Sequence, residues 1–218
     1  MMKKCFALLL SGALVLSANM VASAATVDSP DTETGAYSAK VEGTTEVQVP
    51  TINITVPDSL EVAINPYKME YTFADSSSAT DVLANVEQTI TNASNVPIAI
   101  SATVQATVTS PSEVVLATAP IKGTETTKSV FAYLEMSDTS GTYAEAYDKV
   151  STKQVVLGKT AVTKKDMITL DAKDGATTEA YFKIMGDVAP NPAKAWTTED
   201  TMDIAITFNF NPVAATTE

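Results

Sequence analysis

The chain has 218 residues, with 14 Lys, 26 Asp and Glu, no Arg, no His and a single Cys, Cys5. Lacking His and any second Cys, it can build neither a Cys/His zinc centre nor a Ser-His-Asp or Cys-His nucleophile, and its excess of acid repels nucleic acid and anionic lipid. The composition points away from these enzyme classes, toward a non-enzymatic protein.

Met1–Lys4 supplies a short positive start, Cys5–Ser17 an apolar run, and Ala22-Ser23-Ala24 a small-residue cleavage site. This is the layout of a secretory signal peptide. Residues 1–24 are therefore expected to be removed before Ala25. The mature chain then carries 12 Lys against 26 acids, a net charge of −14, and no Cys. Exported chains that manage without disulfides suit a Gram-positive cell. The tail Asn211–Glu218 has no apolar anchor and no LPxTG motif. A secreted or cell-surface location is therefore expected, with no membrane insertion after cleavage.

Residues 25–45 are polar, acidic and aperiodic and read as a flexible segment. From Glu46 the pattern becomes period-2 alternation, the mark of half-buried strands. Strands are expected at Val47–Val56, Leu60–Ile64, Lys68–Phe73, Val86–Thr91, Ile98–Val108, Glu113–Ala117, Val130–Met136, Lys153–Leu157, Met167–Leu170, Glu179–Met185 and Met202–Phe210. The clearest is Ile98–Val108, with Ile98, Ile100, Ala102, Val104, Ala106 and Val108 on one face and a wet face opposite. Val56-Pro57-Asp58-Ser59, Asn65-Pro66, Asn95-Val96-Pro97 and Gly186-Asp187 separate strands as turns. Helix is expected only as two turns at Tyr143–Val150 and one at Thr80–Ala84. The 32 Thr of the mature chain favour strand. Residues 46–218 are expected to form one antiparallel β-sandwich domain of about ten strands, an all-β fold with little helix.

Trp196, in a Pro-rich loop, with Tyr143 and Tyr147 elsewhere, is the candidate platform for a carbohydrate or cell-wall polymer, since aromatic faces stack on sugars. The acids Asp171, Asp174 and Glu179 flank a Gly turn and are the candidate calcium ligands. Their spacing departs from the D-x-[DN]-x-[DN]-G loop, so no cofactor is expected beyond a structural calcium. Glu199, Asp200 and Asp203 form a further acidic run before the last strand. A glycosidase would need two acids converging on an aromatic-lined cleft; no catalytic residue is assigned. Lys183 and Lys68, each beside apolar residues, are where a self-generated lysine crosslink would be sought, and both read instead as surface lysines whose stems cover apolar atoms.

The stretch VPTINITVPDSLEVAINPYKMEY (Val49–Tyr71), the segment ITNASNVPIAI (Ile90–Ile100) and the ending YFKIMGDVAPNPAKAW (Tyr181–Trp196) together resemble uncharacterised secreted or cell-surface β-sandwich proteins of Firmicutes, and distantly the WxL-type surface domains. In WxL domains two Trp-x-Leu motifs are linked to wall binding. Here Trp196 is followed by Thr197-Thr198, so the resemblance implies a surface β-sandwich and transfers no binding residue. The expected function is that of an exported structural or adhesive module that assembles with itself or with wall or glycan components. The alternative is a carbohydrate- or cell-wall-polymer-binding module built on Trp196.

Overall fold

In the computed structural model the described residues are 50–213, together with the backbones of Asn19–Ala22 and Gly43–Glu46. The rest of the expected signal peptide, its cleavage site and most of segment 25–45 lie outside the described residues. Residues 1–50 and 51–218 form separate units. In the first, β1 (Asn19–Ala22) pairs antiparallel with β2 (Gly43–Glu46). Among the described residues no helix is long and apolar enough to cross a membrane.

The second unit is all-β. Its strands are β3 (Ile54–Thr55), β4 (Val62–Ile64), β5 (Tyr71–Thr72), β6 (Ser78–Ala79), β7 (Leu83–Asn85), β8 (Gln88–Asn92), β9 (Ile98–Thr107), β10 (Val115–Leu116), β11 (Ser129–Ser137), β12 (Gln154–Val156), β13 (Val162–Leu170), β14 (Glu179–Val188) and β15 (Asp203–Pro212). The larger sheet has six strands, ordered β10-β11-β14-β8-β3, with β12 sharing the far edge of β11. The smaller runs β13-β9-β15. All pairings are antiparallel except β10 with β11. Two short ladders, β4-β7 and β5-β6, occupy the excursion before β8.

The two main sheets enclose one core. Ile98, Ile100, Ala102, Val104 and Ala106 of β9 share it with Val130, Ala132, Leu134 and Met136 of β11 and Ala180, Phe182 and Ile184 of β14. The Phe182 ring of one sheet meets Phe208 of the other at 5.0 Å. Every second residue of each strand points inward, so the alternation in the sequence becomes the core.

Three buried asparagines close gaps in the ladders. Beyond Phe182, β14 loses β8 as a neighbour, and Asn85 replaces it. Its amide Nδ2 donates to the Ile184 carbonyl at 2.7 Å and its Oδ1 accepts the Ile184 N–H at 3.0 Å. Asn65 brackets the turn to Met69 in the same way, and Asn92 ties Val96 to Asp171. Each side chain imitates a peptide group where a strand partner runs out.

Three local expectations are corrected. Tyr143–Val150 is irregular and not helical, because its backbone donors leave for distant acceptors: Ala144 N–H for Glu135 and Asp148 N–H for Gln154. A two-turn helix has too few internal bonds to compete. Thr80–Ala84 runs instead into β7, paired with β4. The outer face of β9 is not wet throughout, since Ala99 and Ser101 are buried. Both are small residues on a central strand, and Ser101 Oγ accepts the Asp166 N–H at the bulge of β13.

Candidate functional site

The expected aromatic site does not assemble from its three members. Trp196 is half-buried, packs on the core, and donates its indole N–H to the Ala189 carbonyl at 2.9 Å. Tyr147 stacks edge-on against Phe131 at 5.2 Å and lies 5.3 Å from Tyr133. This covers the outer face of β11, which is why all nine of its residues are buried. Tyr143 donates its hydroxyl to Glu87 at 2.7 Å. Burial and that carboxylate push the phenol far above its ordinary pKa, so it stays a donor at any physiological pH. Tyr143 and Tyr147 therefore pin the 138–153 excursion to the larger sheet, and Trp196 belongs to no ring pair with them.

The candidate calcium ligands are likewise separated in use. Asp171 accepts the Thr177 N–H at 2.9 Å, Glu179 accepts the Tyr181 hydroxyl at 2.5 Å, and Asp174 is exposed. Among the described residues no group of three or more acids, His or Cys is placed to hold a metal ion.

A cleft of about 450 Å³ opens beside β14, lined by Lys68, Asp81, Glu145 and Asp187 among others. Two of its acids are engaged: Asp81 pairs with Lys183 at 2.7 Å, and Asp187 accepts the Ile121 N–H at 3.3 Å. Lys183 is thus a partly exposed ion-pair lysine.

The free edge of the smaller sheet is the more distinctive feature. β15 pairs with β9 over ten consecutive residues, Asp203 opposite Thr107 through Pro212 opposite Ile98, without a register shift. Among the described residues it has no strand on its other side. The Ala106 N–H points toward Gly158, on the β13 side of β9. By alternation the odd residues of β9 and β15 bond to each other, and Ile204, Ile206, Phe208 and Phe210 turn their N–H and C=O groups outward. Pro212 fits this parity, because it sits where an outward donor would be missing. The side chains of those four residues lean into the sandwich and are only half-buried. A gap of about 200 Å³ separates Ile204, Ile206 and Phe208 from the segment Val56–Leu60.

The opposite edge of the same sheet is guarded. β13 shifts register between Lys164 and Ile168, has Asp166 in the left-handed region at φ 49°, and carries Lys164 and Lys165 at the bulge. Bulges and lysines are the usual defences against edge-to-edge pairing. Between Asp203 and Asn211, β15 has neither.

A second cluster lies at the loop entering β15. Lys128 Nζ meets Asp200 Oδ2 at 2.7 Å and Glu113 Oε2 at 3.5 Å, and the side chains of Lys128 and Asp200 are only 6% and 2% exposed. Asp200 also accepts the Thr197 N–H at 2.7 Å, the Thr197 hydroxyl at 3.0 Å and the Glu113 N–H at 3.3 Å. Burial pushes the Asp200 carboxyl up, but these donors outweigh it and hold the pKa below the usual range. Asp200, one of the acids before the last strand, thus pairs with a lysine. Sequence reading missed this cluster. Lys128 sits in a polar stretch, GTETTKS, and its partner is 72 residues away, so nothing local marks the pair.

Compared with known protein families, curated proteins and solved structures, the chain matches none.

Proposed function

We propose that this chain is an exported, non-enzymatic structural module of a surface or extracellular matrix, a β-sandwich that assembles with further copies of itself through the open edge of β15. The observation that carries the proposal is that edge: ten residues in unbroken register with β9, unguarded on the outer side, beside a gap floored by Ile204, Ile206, Phe208 and Phe182. An added strand would satisfy the outward N–H and C=O groups and set alternate side chains into the gap, the recognition mode of strand addition. The donor fits the same chemistry. Among the described residues β2 pairs only with β1, and β1 lies within the expected signal peptide. Its removal leaves β2 without a described partner in the mature chain. The composition supports the non-enzymatic part, since the mature chain lacks His, Cys and Arg.

The mature charge of −14 opposes contact between copies, so assembly is expected to strengthen as salt screens it. The experiment is size-exclusion chromatography with light scattering on residues 25–218, at rising protein and salt concentration, beside a form lacking 25–45. Concentration-dependent oligomers that grow with salt and are lost in Ile206→Pro support the reading. Ile206→Pro removes an outward donor while leaving the bonds to β9 in place. Loss of oligomers on deleting 25–45 assigns the donor segment. A monomer under all conditions refutes assembly.

A further inference from the structure

Lys128, Asp200 and Glu113 come from three separate stretches of the chain and meet at the junction of the two sheets, Lys128 just before β11 and Asp200 just before β15. We propose that Lys128 and Asp200 join in a spontaneous amide bond, Nζ to Cγ, with Glu113 carrying the proton. This site is separate from the β15 edge and does not depend on the assembly reading.

The attacking nitrogen is already in place, 2.7 Å from Oδ2 of the carboxyl group it would attack. The Glu113 carboxylate is 3.5 Å from the same nitrogen, and Lys194, bonded to its other oxygen, holds it ionised, so that a proton it takes is readily handed on. The Glu113 N–H reaches Oδ1, the oxygen that gains negative charge as Cγ becomes tetrahedral, while Thr197 holds Oδ2, the oxygen that departs. Preorganised donors of this kind lower the barrier to acyl transfer, and fixing both reactants removes the entropy cost of their encounter. The near-complete burial of both side chains favours a neutral product over two desolvated charges.

The step balances with no co-reactant. The resting state is the ion pair, and the reacting form is its minor tautomer, in which one ammonium proton has crossed the 2.7 Å contact to Oδ2 to leave an amine and a carboxylic acid. The nitrogen lone pair attacks Cγ and forms the C–N bond while a second Nζ proton passes to Glu113. Glu113 returns it to the departing hydroxyl, the C–Oδ2 bond breaks, and one water leaves. Lysine ammonium and aspartate carboxylate have become an amide and water, with Glu113 regenerated. The bond closes a stretch of 72 residues and ties the larger sheet to the smaller. In a mature chain without Cys it would take the place a disulfide holds elsewhere, restricting the unfolded chain.

The test is the intact mass of the purified full chain after denaturation, assigned against its own N-terminus. The expected mass is one water below that of the sequence. Cleavage after lysine is expected to yield peptides 123–149 and 195–218 joined, with Lys128 uncut. Lys128→Ala and Asp200→Ala should return the full sequence mass. So should Glu113→Gln, which leaves both reacting groups in place and is checked for folding by circular dichroism. A folded wild-type protein at full mass, releasing a free peptide that starts at Ser129, overturns the proposal and leaves an ion pair only. Wild-type crosslink yield in Glu113→Gln overturns the role given to Glu113.

Discussion

Asn85→Ala isolates the contribution of a side chain that stands in for a strand. Asn85 is 1% exposed and makes three bonds, donating to the Leu83 and Ile184 carbonyls at 2.8 and 2.7 Å and accepting the Ile184 N–H at 3.0 Å. Alanine removes all three and leaves the N–H and C=O of fully buried Ile184 without partners. A buried polar group stripped of its partner costs about 1–3 kcal/mol, so two of them predict a loss of about 2–6 kcal/mol. Against a total stability of about 5–15 kcal/mol this is a large fraction. At about 2–4 °C per kcal/mol for a domain of this size, Tm should fall by roughly 4–24 °C. The assay is urea denaturation followed by far-ultraviolet circular dichroism, with Asn209→Ala, an exposed Asn on β15, as control. The control should stay within about 0.5 kcal/mol of wild type. A loss below about 1 kcal/mol for Asn85→Ala, with an unchanged denaturant slope, would refute the reasoning, because the orphaned groups must then have found other partners at little cost.

Two further outcomes follow from the same physics. Gly186 sits in β14 opposite Ala132 at φ 151°, and an added Cβ would lie 1.9 Å from the Phe131 carbonyl oxygen. Backbone cannot yield as a side chain does, so Gly186→Ala should cost at least about 3 kcal/mol or prevent folding, read by the same denaturation curve; a near-neutral change would refute the close approach. The second concerns acid. Burial raises the Glu87 carboxyl, but the Ser140 hydroxyl, the Gly141 N–H and the Tyr143 hydroxyl outweigh it and set the pKa below normal. A carboxyl depressed by folding stabilises above its unfolded pKa and loses that contribution as pH falls through the folded value. Stability should therefore hold near neutrality and fall below about pH 4.5, and Glu87→Gln should flatten part of that fall. An acid limb identical in the variant would remove Glu87 from the account.

Where one stretch of chain carried its own signal, the fold was legible. The alternation of Ile204, Ile206, Phe208 and Phe210 matches the observed inward face of β15, and Ile98–Val108 matches β9 to within one residue. The all-β class followed from many such runs separated by Pro, Asn and Gly. Edge conditions were not legible. Alternation says which side chains share a face and nothing about which strand lies beside them, so β9 with two neighbours and β15 with one among the described residues look alike in the sequence. That difference buries Ala99 and Ser101 and leaves β15 open.

The candidate sites divide along the same line. Trp196, Tyr143 and Tyr147 stood out by residue type, yet the groups that receive them, the Ala189 carbonyl, Glu87 and Phe131, come from other elements. Lys183 drew notice through its apolar neighbours and pairs with exposed Asp81, whereas Lys128, in a polar stretch, is the buried lysine of the Lys128–Asp200 pair. By itself the sequence determined the fold class, the inward faces and the chemistry that is missing, because each rests on local periodicity or on counts. Tertiary structure alone decided the strand order, the unguarded edge and the Lys128–Asp200–Glu113 contact. Those rest on contacts between residues far apart in the chain, and a contact across 72 residues leaves no trace in the pattern at either end.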